Sequence, residues 1–361
     1  YQNVNLDARI DEGVFDGELI SNDPNADLNM KFAGVFREEL TDVKLDGNIV
    51  KLDLQKLGFY ADPMIIAGTL NADFASLDPD NLNGNLSLNN FAISDTKEIF
   101  PVQELKLTAV STPESNSIQF QSQIADIELT GRYKLTQIFG ALASTVNEYY
   151  RFQEPTQTTT LIDSHQYFDF TAQIKDDDLI RKFVPDLKSF ETIQLTGSYD
   201  ADSQKIVLDG SIPNLMYGEN LIEAAQLKVT NENQALQYDL SVGALQSESF
   251  QLTKINIKGD VSNNIINYNV STKDEKDETQ FLIAGNVQSL DEITKISLNP
   301  NGLILNYTNW EVADENSIQI TPNGFIADNF RLTNGTSEIT VQSENLLAES
   351  PLNISIKDFK I

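Results

Sequence analysis

The sequence predicts an all-β protein, an elongated and mostly antiparallel structure with two short helical insertions and no separate globular domains. Three observations carry this. Apolar and polar residues alternate with period two over most of the 361 residues, the pattern of strands that bury one face and wet the other. An apolar-x-Gly-x-apolar motif recurs along the chain at irregular intervals, which suits a meander of hairpins of varying length better than a fixed-period solenoid or propeller. Turn-forming clusters separate the alternating runs, and no linker-like stretch divides the chain.

The elements follow in order. Val4, Leu6, Ala8 and Ile10 share one face of the first strand, with Asn3, Asn5, Asp7 and Arg9 on the other. Turns are expected at 22–25, 78–81, 113–116, 300–302 and 322–324. The glycine motif falls at Gly17, Gly47, Gly68, Gly84, Gly131, Gly197, Gly210, Gly259 and Gly285. In LTGSYDADSQKIVLDGSI (195–212) a hairpin with its tip at Asp202-Ser203 sets a leucine opposite each glycine on the apolar face. Glycine weakens a strand interior, so its recurrence there points to curvature, a bulge or a need for room. Residues 135–152 carry Ile138, Phe139, Leu142, Val146 and Tyr149 at helical spacing. A second helix is expected over 177–185, opened by aspartates and ended by Pro185. Alternation resumes toward the C-terminus at Leu303, Leu305 and Tyr307, Ile318 and Ile320, Ile339 and Val341, and Leu352, Ile354 and Ile356.

Composition narrows the function. The net charge is −29, from 54 acidic and 25 basic residues, which repels phosphate backbones and makes nucleic acid an unexpected partner. With no cysteine, disulfides and thiolate chemistry are excluded. No apolar run reaches the roughly 18 residues that span a bilayer. Because the sequence starts and stops within apparent strands, it is expected to be an internal piece of a longer protein, with any export signal or anchor outside it.

Chemistry-bearing constellations are sparse. The single histidine, His165, adjoins Asp163 and Ser164, but residues one apart in a strand point to opposite faces, so adjacency makes no triad. Asp78 to Gly84 faintly resembles a calcium loop, yet lacks its third ligand and closing glutamate. The acidic runs 176–178 and 274–278 read as solvated turns. Catalytic residues, metal ligands and cofactor sites are therefore all expected to be absent, and the protein is not expected to be an enzyme.

Residues 306–344, NYTNWEVADENSIQITPNGFIADNFRLTNGTSEITVQSE, bring together Trp310-x-Val312, Asn316-x-Ile318-x-Ile320, a Gly324-to-Leu332 segment and an Asn334-Gly335 turn. This resembles the repeating unit of the TamB family, the translocation and assembly module component of the AsmA-like superfamily, in its Bacteroidetes-type form. Residues 77–93 and 124–135 resemble other units of that family, whose texture covers nearly the whole chain. The resemblance implies one continuous sheet over 1–361, curled into a taco-like or bridge-like apolar groove. It also implies a periplasmic bridge, anchored in the inner membrane when full-length. Its groove passes phospholipid between inner and outer membranes or supports outer-membrane protein assembly. The implied partners are phospholipid acyl chains and, through regions outside this segment, an Omp85-type barrel. On this reading Leu82, Leu86, Leu129, Leu195, Leu208, Ile257, Ile283, Leu303 and Leu305 line the groove. Gly68, Gly84, Gly131, Gly197, Gly210, Gly259 and Gly285 let the strands bend. The alternative is a surface-exposed structural β-solenoid or adhesin segment, which would favour more regular spacing.

Overall fold

Strands dominate because β-branched and aromatic residues recur every second position between polar turns. The computed structural model describes residues 3–36, 40–95, 97–151, 165–232, 234–290 and 292–358, and it is mostly β and antiparallel, with two short helices and no closure into a barrel. The chain divides into two compact units, one of residues 1–139 with 163–202, the other of 140–162 with 203–361.

In the first unit the strands are β1 (Val4–Asp11), β2 (Val14–Asp23), β3 (Ala26–Phe36), β4 (Leu40–Asp53), β5 (Ile65–Ser76) and β6 (Asn83–Ser94). They continue as β7 (Ile99–Ser111), β8 (Asn116–Ser122), β9 (Ala125–Arg132), β10 (Tyr167–Ile174), β11 (Leu187–Phe190) and β12 (Ile193–Asp200). From β1 to β10 each strand pairs antiparallel with the next, and β10 then pairs with β12.

The second unit holds β13 (Lys205–Tyr217), β14 (Asn220–Glu232), β15 (Ala235–Gln246), β16 (Gln251–Ser262), β17 (Ile265–Lys273), β18 (Thr279–Leu290) and β19 (Ile293–Leu305). Shorter strands follow: β20 (Thr308–Val312), β21 (Ser317–Thr321), β22 (Gly324–Asp328), β23 (Phe330–Asn334), β24 (Ser337–Ser343) and β25 (Leu352–Lys357). The meander runs unbroken to β19 and there branches. One end of β19 pairs with β21 and through it β22, while the other pairs with β20 and through it β23, β24 and β25. Between the branches Leu303, Trp310, Val312 and Leu332 bury one another.

Both units carry a line across several strands where alternation changes phase. In the second unit it runs through Pro213, Ala224, Gly243 and Lys254, positions at which the ladder between β13 and β16 is interrupted. Ala224 and Lys254 hold φ near +50°, which acts as a bulge and re-aims the side chains beyond it. The apolar spacing compensates, stepping by three instead of two: Ile212 to Leu215, Ile222 to Ala225, Val242 to Leu245, Leu252 to Ile255. The first unit repeats the device around Gly68 and Asn90 (φ +142° and +49°), with apolar steps Ile49 to Leu52, Leu88 to Phe91 and Val102 to Leu105. Because strand and spacing shift together, the apolar series stays on one side.

Helix α1 (Ile138–Tyr149) follows a 3₁₀ turn at Leu135–Gln137, so the helix is shorter at its start than the spacing over 135–152 predicts. Its buried side chains are Ala141 and Thr145. Phe139, expected on the apolar stripe, is 84% exposed; the small residues let the helix approach closely, and that rotates Phe139 outward. Helix α2 (Asp178–Phe183) forms as its capping residues require. Asp177 Oδ1 accepts from the Leu179 N–H at 2.8 Å, Asp178 lies in the first turn, and Arg181 and Lys182 lie in the last, complementing the helix dipole.

Gly131 holds φ +147°, and a Cβ there would sit 2.6 Å from the Phe168 Cα. Gly131→Ala should cost about 2–4 kcal/mol in a denaturant melt. Gly335→Asn, at a left-handed turn position with open space around it, should stay within about 0.5 kcal/mol of the parent.

Candidate functional site

The register sorts the two faces of each sheet residue by residue. In the first unit one cross-strand row reads Ala8, Gly17, Phe32, Leu45, Ala72, Leu86, Leu107, Phe120, Ile127, Ala172, Leu195. The neighbouring row, one residue away along every strand, reads Asp7, Glu18, Lys31, Asp46, Asn71, Ser87, Lys106, Gln121, Asp126, Gln173, Gln194. Eleven strands thus contribute no polar side chain to the first row and none that is apolar to the second. A second apolar row runs Ile10, Phe15, Gly34, Val43, Phe74, Gly84, Ala109, Ile118, Leu129, Phe170, Gly197.

The second unit is built alike. One row runs Leu208, Val229, Tyr238, Gly259, Tyr268, Gly285, Leu298, and the next Gly210, Leu227, Leu240, Ile257, Val270, Ile283, Leu303, Trp310. Between them, on the other face, lie Asp209, Lys228, Asp239, Lys258, Asn269 and Ala284.

The predicted lining residues can now be placed. Leu86, Leu129 and Leu195 share the apolar face of the first unit, all half-buried. Leu82 ends the short 3₁₀ turn Pro79–Asn81 and precedes the strand rows. In the second unit Leu208, Ile257 and Ile283 share one face, and Ile283 is 40% exposed. Leu303 is only 5% exposed, in the core between the branches of β19, and Leu305 packs against that core.

The glycines sit on the apolar faces, and many of them pair with an aromatic residue on a neighbouring strand. Gly17 pairs with Phe32, Gly34 with Phe15, Gly84 with Phe74, Gly131 with Phe168 and Gly197 with Phe170. Gly259 lies between Tyr238 and Tyr268, and Gly285 also pairs with Tyr268. A Cβ on Gly84 would come within 2.7 Å of the Phe74 ring, and one on Gly259 within 2.7 Å of the Tyr238 hydroxyl. That hydroxyl reaches over β16 and donates to the Asn267 carbonyl on β17 at 2.9 Å. Each glycine is therefore the space into which an aromatic side chain lies across the sheet, a pairing known to rescue glycine in strands. Gly210 faces Leu227 on β14, and Gly68 is crossed by the Phe91 ring.

Helix α2 covers one end of the first unit's apolar face. Leu179 buries against Phe100 and Val102, with Phe91, Ile93, Leu105 and Ile124 around them. Gln123 donates to the Asp177 carboxylate at 2.9 Å, Lys182 pairs with Asp95, and the ammonium stands 5.6 Å from the Phe100 ring centre. The Lys182 hydrogen bond, aided by the Lys97 and Glu98 backbone N–H groups, holds Asp95 far below the usual carboxylate range. The same bond raises Lys182. In the second unit the end of α1 meets the hairpin turns: Asn264 N–H donates to the Tyr149 carbonyl, and Asn231 to the Tyr149 hydroxyl at 3.0 Å.

Reactive constellations do not assemble. His165 Nδ1 lies 2.8 Å from Asp202 Oδ1 with both side chains well exposed, while Asp163 and Ser164 fall outside the described residues. Asp78 caps its own turn, and Asp80 accepts from Thr136 N–H and hydroxyl at 2.9 Å, so both carboxylates of the calcium-like segment serve local structure. Among the described residues no group of three or more His, Asp or Glu could hold a metal, and no helix is long and apolar enough to cross a membrane.

The fold and site define an open antiparallel sheet protein in which each unit carries an apolar face built of cross-strand rows. Comparison with family models, curated proteins and solved structures finds no match to any of them. The sequence reading missed the aromatic members of the face, Phe74, Phe170, Tyr238 and Tyr268. Each occupies an apolar position of an alternating run, and pairing such runs motif against motif would have set them beside the glycines.

Two outcomes follow. The Tyr133 hydroxyl is buried without a hydrogen-bond partner, and burial pushes its pKa up to about 12. Tyr133→Phe should therefore stabilise the protein by about 1 kcal/mol in thermal unfolding. The Lys182–Asp95 pair has a lowered acid and a raised base, so its contribution is complete above the unfolded carboxylate value, about 3.9, and below that of lysine, about 10.4. The melting difference between parent and Lys182→Met should be level inside that window and shrink as pH leaves it on either side.

Proposed function

We propose that the chain is a segment of a periplasmic bridge that holds phospholipid acyl chains on its apolar faces. Lipid moves along it between the inner and outer membranes, with an Omp85-type barrel engaged through other parts of the protein. The observation that carries this reading is the eleven-strand apolar row with no polar member beside an eleven-strand row with no apolar one. A structural sheet needs only enough apolar contact to fold, whereas an unbroken path of equivalent apolar positions also suits a chain that must slide. Each methylene taken from water is worth about 0.8 kcal/mol, so a partly enclosed acyl chain is held firmly. Moving it by one position breaks no polar contact. The polar opposite face and the net charge of −29 favour solubility of such a protein.

Native mass spectrometry of the purified chain should find co-purifying phospholipid, and a photoreactive residue at Leu208 or Ile283 should crosslink to it. Ile283→Asp should leave the fold intact and reduce lipid occupancy, since water reaches this exposed position. Leu303→Asp should cost about 3–5 kcal/mol, because its carboxylate would be buried against Trp310. Absence of lipid from both the native spectra and the crosslinks would sink the reading.

A further inference from the structure

Strand β1 begins the meander of the first unit and leaves one edge of it open. It pairs with β2 on one side, all eight of its residues are exposed, and the sheet does not close into a barrel. The apolar rows therefore end at water. Leu6 is 62% exposed and Ile10 78%, whereas Leu19 and Phe15 opposite them on β2 are half-buried. Neither a proline nor a bulge guards this edge, although sheet edges commonly carry one.

The backbone of β1 is set to receive another strand. Asn22 N–H donates to the Asn3 carbonyl at 3.1 Å. The Asp7 carbonyl points the same way, 2.6 Å from where a Gly17 Cβ would stand. Backbone groups alternate in direction along an antiparallel strand, so those of Leu6, Ala8 and Ile10 face away from β2.

The side chains select the partner. Set antiparallel against a second copy of itself, with Ala8 opposite Ala8, β1 is self-complementary. Leu6 then falls opposite Ile10, Asp7 opposite Arg9 and Asn5 opposite Asp11. Apolar residues stay on one face, and the outward backbone groups of Leu6, Ala8 and Ile10 meet their counterparts. Neighbouring registers are worse. A shift of two residues one way sets Asp7 against Asp7, and the other way Arg9 against Arg9 and Asp7 against Asp11, like charges directly opposite. A shift of one joins the apolar face of one copy to the polar face of the other.

The same pairing relieves a mismatch inside the chain. Arg9 stands opposite Asp16 and forms an ion pair with it at 3.0 Å, but Asp7 stands opposite Glu18, acid against acid. Arg9 of a second copy would flank Asp7 on its open side.

We infer that the chain forms a two-fold dimer by antiparallel pairing of β1 with β1 of a second copy, centred on Ala8, with Asp7 and Arg9 paired across the edge. Such an interface is isologous and closes on itself. One strand pair with its flanking side chains is small for an interface, so the dimer is weak and depends on concentration. It needs no lipid and is scored separately from crosslinking at Ile283.

Sedimentation equilibrium of the full chain over a concentration series should fit monomer and dimer. Asp7→Arg and Arg9→Asp should each weaken dimerisation at least tenfold, since each sets like charges opposite one another. Mixed in equal amounts, the two variants should associate, because the acids of one then face the bases of the other. The chain has no cysteine, so Ala8→Cys places a lone thiol pair at the axis, where opposite Cα atoms stand about 5.5 Å apart, within disulfide reach. Under copper–phenanthroline oxidation it should yield a covalent dimer. Leu6→Cys, whose counterpart lies four residues further along the strand, about 13 Å away, should crosslink at least tenfold less. A parent that stays monomeric, two folded variants that do not associate when mixed, or Ale8-independent crosslinking, with Ala8→Cys no faster than Leu6→Cys, would each overturn the inference. So would trimers and larger species, which would mean head-to-tail pairing of β1 with β25, whose Ile354 and Ile356 are likewise exposed.

Discussion

Everything else in this protein depends on cross-strand register. A strand turns successive side chains to opposite faces, so a slip of one residue in any pair would bring the Leu86 row against the Ser87 row and invert the face from that strand onward. The Leu86 and Ser87 rows stay in step across eleven strands, and the register shifts that do occur lie outside them, as between Ile49 and Leu52 or between Ala67 and Thr69. The register is held by the free-energy cost of exposing a whole apolar row at once, and each added strand makes the wrong alignment costlier for its neighbours.

A face of large side chains would crowd if every position carried one. Glycine relieves this by yielding its space to an aromatic side chain from the next strand, as Gly84 does for Phe74 and Gly259 for Tyr238. The rings gain contact with bare backbone, and the glycines are shielded from water by the rings. The same accommodation works on a larger scale at the phase lines. A bulge at Ala224 or Asn90 would ordinarily throw the rest of its strand onto the wrong face, and the three-residue apolar step beside it cancels that effect.

On the polar rows, charged side chains pair with neighbours across the ladder. Lys44 with Asp73 and Arg331 with Glu338 are ordinary exposed pairs of this sort, each worth little to stability. The apolar surface is closed locally. Leu179 closes one end of the first unit, and the Trp310 core closes the region where β19 branches.

Alternation was legible in the sequence because it is local: each strand declares its two faces through its own residues. Hence the all-β class, the position of α2 and the membership of Leu86, Leu129, Leu195, Leu208, Ile257 and Ile283 on apolar faces could be read from the chain directly. The partners of the glycines could not, because they depend on which residues hairpin lengths bring opposite one another. Phe74, Phe170 and Tyr268 therefore went unrecognised as neighbours of Gly84, Gly197 and Gly285. Leu303 looked like any other member of an alternating strand, and only the branching of β19, which brings Trp310 and Leu332 over it, makes it core. Phe139 likewise had the right spacing for a buried stripe, and the close approach of Ala141 and Thr145 turned it out to water. The local period is a property of the backbone and is written in every strand; the depth at which a residue finally lies depends on what distant segments place over it.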